Sequence, residues 1–213
     1  MNRVFQAIVW AILMVAQTAH AQTLEALLKA VAEDNLPDTA FYLDRGMEAD
    51  TTDVRGNTLL MVASRLGYAD MVSMLLERKA SVTRQTPAGD TALLMASLGG
   101  HLEVVKLLVE AGAPVQTASG WQPLHYAAFC GANDVVSFLL DRGADKEARA
   151  PNNLFTPLML AVREGHGDTA KLLIERGADV SKRGYSGETA LTIAQGHEDS
   201  GIIAILKEAG AAE

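Results

Sequence analysis

Five histidines and a single cysteine are the residues of this 213-residue chain best suited to metal binding or nucleophilic catalysis. Four of the histidines, His101, His125, His166 and His197, are spread over separate stretches of the chain. A metal needs several ligands within about 2 Å of one point. Side chains on successive packed helices stand roughly 10 Å apart, which makes a ladder and not a cage. Neither a metal nor a cofactor is therefore expected. Cys130 follows Phe129 with no basic neighbour to lower its pKa, the setting of an inert thiol. Ser119, Ser137 and the run Glu198-Asp199-Ser200 have no base partner that the sequence identifies, and no phosphate loop or carboxylate pair stands out. Glu103, Lys106, Glu110, Lys171 and Glu175 sit at the spacing of solvated helix faces. The chemistry on offer is not that of an enzyme. The segment "GWQPLHYAAFCG", with His125 beside aromatic residues, then needs another explanation.

The ends and the composition narrow the setting. Arg3 precedes an apolar run from Val4 to Ala16, and Ala19-His20-Ala21 closes it with small residues two apart. This is the pattern of a cleavable secretory signal peptide over residues 1–21, too short for a bilayer span of about 20 apolar residues. The expected location is the periplasm, with no membrane insertion after cleavage. Formal net charge is −8, and removing the leader takes away Arg3 and no acid. Such acidity argues against nucleic acid as a partner. One cysteine permits no internal disulfide, so packing alone must hold the fold.

Self-comparison resolves the role of the His125 segment. Ala63, Ala96, Ala127, Ala161 and Ala194 recur at spacings of 33, 31, 34 and 33 residues. Gly46, Lys79, Gly112, Gly143, Gly177 and Gly210 form a second series, spaced 33, 33, 31, 34 and 33. Both series share the same irregularities. Thr58, Thr91, Thr156 and Thr189 stand before first helices and suit N-caps, and Pro123 and Pro157 suit the first turn. Gly67, Gly100, Gly131 and Gly165 stand where that helix closes. A second helix, as in "HLEVVKLLVEAG", is apolar on one side and charged on the other. One unit cannot bury its apolar face alone, whereas stacked units can.

The 33-residue period and the segments "GWQPLHYAAFCGANDVVSFLLDRGAD" and "TPLMLAVREGHGDTAKLLIERGADV" resemble the ankyrin repeat family over residues 22–213. That resemblance implies an all-α fold: a curved solenoid of stacked helix-turn-helix units with hairpin-like fingers on one side. The units are expected at about residues 22–52, 53–85, 86–116, 117–150, 151–183 and 184–213. The first unit is a degenerate one.

Several positions depart from the family pattern. Its turn histidine, which links neighbouring fingers, survives only at His125; Met61, Leu94, Met159 and Thr192 occupy the other units. Lys79 replaces a left-handed glycine, at a cost of about 1 kcal/mol. Leu154 replaces a finger glycine, and Glu198 a helix-closing one. The connector before Trp121 is shortened and the one before Phe155 lengthened.

In this register Trp121 and Phe155 take the same fingertip position in adjacent units, where the others carry Asn57, Asp90 and Glu188. Phe129, Leu98 and Leu66 fall together near the ends of the first helices, with Arg163 and Glu164 next along. Equivalent residues of stacked units are neighbours, so an apolar strip with a polar rim is expected on the concave face. Trp121, Phe155 and Phe129 would be outward-facing anchors, supported by Leu98, Leu66 and Tyr126. Asp90, Arg163, Glu164, Arg65 and Glu188 would form the rim. The expected function is a non-enzymatic protein-binding scaffold, monomeric, with another protein as its partner. It would be either an accessory, stress-protective protein or an inhibitor (immunity) protein against a toxic periplasmic enzyme. The alternatives are an enzyme with its site in the altered C-terminal unit, around Glu198, Asp199 and Ser200, or a structural component of the cell envelope.

Overall fold

A computed structural model describes residues 21–117 and 120–212. The expected leader, apart from Ala21, and Ser119 lie outside the described residues. The twelve helices of the described residues form six pairs. Helix α1 (21–32) precedes α2 (Leu36–Asp44). The pairs α3 (Leu59–Leu66) with α4 (Ala69–Glu77), and α5 (Ala92–Gly99) with α6 (Leu102–Glu110), follow. Next come α7 (Pro123–Phe129) with α8 (Asn133–Asp141), and α9 (Pro157–Arg163) with α10 (Gly167–Glu175). The last pair is α11 (Ala190–Gly196) with α12 (Ser200–Glu208). The first helix of each pair from α3 onward packs on the first helix of the next, and the second on the second. One apolar core runs through the whole stack from Leu27 to Leu206.

Capping starts the first helices as the sequence implies. The hydroxyls of Thr58, Thr91, Thr156 and Thr189 accept the N–H of the residue three positions on, at 3.2–3.3 Å. The fourth pair differs, because Gln122 stands where the others have Thr. Its amide turns back into the finger, where Oε1 accepts the Thr117 N–H at 2.6 Å and Nε2 donates to the Thr117 carbonyl at 3.2 Å. This braces the shortened connector from inside.

Left-handed backbone recurs at three fixed places in the second to sixth units, and at two in the first, with or without glycine. The finger series reads Gly56, Gly89, Gly120, Leu154 and Gly187, with φ of 83°, 90°, 90°, 58° and 89°. Lys79 has φ 64° in the second-helix series, and Glu198 has φ 56° where other first helices close on glycine. Asp34, at φ 55°, fills the same closing place in the first pair and went unnoticed in the sequence. Non-glycine residues adopt this conformation at a cost of roughly 1–2 kcal/mol, so the stack imposes it on four side chains.

Two closing glycines have a second reason to exist. A Cβ on Gly67 would meet the His101 ring at 2.5 Å, and one on Gly131 the His166 ring at 2.7 Å. Those rings reach back across the stack: His101 Nε2 lies 3.0 Å from the Arg65 carbonyl, and His166 Nε2 lies 3.0 Å from the Phe129 carbonyl. Tyr68 donates to Ala32 at 3.4 Å from the corresponding place. His101 and His166 are thus ties to backbone carbonyls at the ends of the preceding first helices.

Candidate functional site

Helix α7 and the finger before it place four rings together. The Trp121 ring centroid lies 5.8 Å from His125, 5.2 Å from Tyr126 and 6.1 Å from Phe129, the last edge-on. Such spacings are those of favourable aromatic contacts. His125 is fully buried. Its Nδ1 accepts the Gln122 N–H at 2.9 Å, so the Nε2–H donates to the Ala148 carbonyl at 2.9 Å, in the next finger. Burial holds its pKa below the ordinary 6.5, against the carbonyls and Asp145. The ring is a neutral brace. The corresponding Met61 and Thr192 accept the N–H of Thr58 (3.4 Å) and Thr189 (2.8 Å), so the local half of the role passes to other side chains.

Trp121, Tyr126 and Phe129 are half-buried, with one side against the stack and the other open. Leu66 and Leu98 are 38 % and 37 % exposed on the first-helix ends alongside. The Arg163 guanidinium lies 5.8 Å from the Phe129 ring and 5.6 Å from the Phe155 ring, and its Nε pairs with Glu164 at 2.7 Å. The equivalent residues Arg65, Leu98, Phe129 and Arg163 give a row that is apolar at its centre and basic at both ends. Arg65 is exposed, and Asp90 is half-buried at its fingertip, where the Thr86 hydroxyl lies 3.4 Å from its carboxylate.

Phe155 corrects the expectation. It is only 7 % exposed, and the aromatic neighbours of Trp121 are those of α7. The rings of Trp121 and Phe155 do not form an outward pair. The cause is the lengthened finger: its closing bond, from the Ala150 N–H to the Phe155 carbonyl at 2.9 Å, spans one residue more than in the other fingers, and the Asn153 carboxamide accepts the Phe155 N–H at 3.0 Å. Phe155 then swings beneath the following finger, where a Cβ on Gly184 would stand 2.7 Å from its ring. Only a residue without a Cβ fits at Gly184 beside that ring. Glu188 is also committed internally, since its carboxylate accepts the Ser186 N–H at 3.0 Å.

The remaining candidates for chemistry are employed elsewhere. Asp199 caps α12 by accepting the Ile202 N–H at 2.9 Å. Cys130 is exposed as a residue, yet its thiol is pushed above its ordinary value by burial and by the Glu164 charge. Among the described residues no three His, Cys, Asp or Glu side chains stand close enough to hold a metal, and no helix is long and apolar enough to cross a membrane.

This stack of paired helices with fingers matches known proteins. The family model described as "Ankyrin repeats (3 copies)" matches residues 81–150, and "Ankyrin repeat" matches 55–87 and 153–185. The chain belongs to the ankyrin repeat family. Among solved structures it is similar to the crystal structure of the human ASB11 ankyrin repeat domain. The two share 27% identity and a TM-score of 0.82, over 87% of this chain and 84% of that one. No curated protein matches it. The ankyrin fold is generally a scaffold for protein–protein interaction.

Proposed function

We propose that this ankyrin protein is a non-enzymatic binding scaffold of the periplasm, engaging another protein through the face carried by its first helices and fingers. The observation that supports this most is the half-open aromatic group Trp121, Tyr126 and Phe129. Exposed Leu98 and Leu66 extend it, and Asp90, Arg65 and the Arg163–Glu164 pair border it. Aromatic centres ringed by polar residues are where association energy concentrates. The scaffold is preformed, since Gln122 and His125 lock the finger carrying Trp121, so little freedom is lost on binding. Phe155 contributes from below, by holding Arg163 in place.

Affinity capture from periplasmic extract, with Trp121→Ala as the control, tests the reading. A protein retained by the parent and lost by the variant, at unchanged circular dichroism, supports it; equal retention by both removes the aromatic group from the interface. Amino-terminal sequencing of the exported protein tests the location, a start at Gln22 being expected. Partner identity separates the two forms: an accessory protein supports the exported protein it binds, whereas an inhibitor abolishes the activity of a toxic enzyme.

A further inference from the structure

A hollow of about 250 Å³ opens between three successive fingers, walled by Trp121 and Tyr126 on one side and by Asp90, Leu94 and Pro151 around the rest. It is smaller than pockets for drug-sized ligands, which run from about 300 to 1,000 Å³, and suits one long side chain. Asp90 is the sole ionised residue among those lining it. Its carboxylate makes no ion pair among the described residues, and it lies near enough to help push the Tyr126 phenol above its ordinary value, behind the effect of burial. Two aromatic rings and an unneutralised carboxylate facing one space attract a cation by ring quadrupole and by charge. The chain uses this chemistry on itself, with guanidinium groups at 4.7 Å from Phe41 and 4.6 Å from Phe138.

Resting on the scaffold reading above, we infer that this hollow receives a single arginine or lysine side chain from the protein partner. The cation lies against Trp121 and Tyr126 and its charge faces Asp90, while the apolar stem runs along Leu94 and Pro151. The net charge of −8 favours approach of a basic segment.

The experiment titrates the full chain with N-acetyl-arginine methylamide and follows the Trp121 indole N–H resonance, assigned with Trp121→Phe. The uncharged norleucine analogue is the comparison probe. A saturable shift is expected with the arginine probe, about tenfold weaker in Asp90→Asn and weaker again at high salt. No shift, an equal response to norleucine, or full binding by a folded Asp90→Asn protein would each overturn the proposal. If the cationic probe fails while Trp121→Ala still loses the captured partner, the scaffold reading stands and only the cationic occupant falls.

Discussion

The His125 Nε2 lies 2.9 Å from the Ala148 carbonyl oxygen, so one buried ring fastens its own finger to the next. Replacing it with Leu, the residue at the equivalent Leu94, leaves the Gln122 N–H and the Ala148 carbonyl without that partner. A loss of about 1–3 kcal/mol is expected in urea unfolding.

The same ring gives stability a pH dependence. Burial holds folded His125 below the ordinary value of 6.5. Above 6.5 both states are neutral and the tie is fully present. As pH falls below 6.5 the unfolded chain takes up the proton first, and stability drains away down to the lower folded value. The urea midpoint should fall between pH 7.5 and pH 5.5, and His125→Met should flatten that slope.

Lys79 and Glu198 hold left-handed backbone, with φ of 64° and 56°, where other units have glycine. Lys79→Gly and Glu198→Gly should each raise stability by up to about 1 kcal/mol. Gly131→Ala should do the opposite, since its Cβ would lie 2.7 Å from the His166 ring. Thermal unfolding of the three variants checks the contrast in sign.

Trp121 and Phe155 should part company under mutation. Phe155→Ala empties a buried site and should cost about 3–5 kcal/mol of stability. Trp121→Ala, at a half-open ring, should weaken partner binding by about 2 kcal/mol or more and leave the circular dichroism unchanged. Calorimetric titration with the captured partner, beside denaturation of both variants, measures the split.

Cys130 should alkylate more slowly than a free thiol at pH 7.5, because burial and then Glu164 disfavour its thiolate. Glu164→Gln should speed the reaction modestly. A rate at or above that of free cysteine would show that the thiol is not shielded.

The fold was readable because each unit repeats the same demands: a cap, a left-handed residue, a small residue facing the next helix. Lys79 could be read as strained, and Leu154 and Glu198 as departures, because glycine occupies their places in other units; all three keep the left-handed backbone. Asp34 was missed although Gly46 sets the register of the first pair, because that degenerate unit has no closing glycine to prompt the comparison. The surface was harder to read. Register places Trp121 and Phe155 at one position, but the direction of a ring depends on the finger that carries it, and one extra residue in that finger turned Phe155 inward. Arg163 was read as a rim charge, although its place over two rings depends on that turn.

Tyr68, His101 and His166 each reach from one helix pair to a carbonyl of the pair before it, but the fourth pair has Ala132 at that place, with no polar side chain to offer. The third and fourth pairs therefore meet there through apolar contact. In a linear array whose stability adds up from neighbour to neighbour, this junction keeps its polar tie elsewhere, from Gln116 Nε2 to the Gly143 carbonyl at 3.0 Å. The hollow beside Trp121 spans the same junction, with Asp90 on one side and Trp121 on the other, so a side chain seated there would rivet the two units where the ring tie is missing.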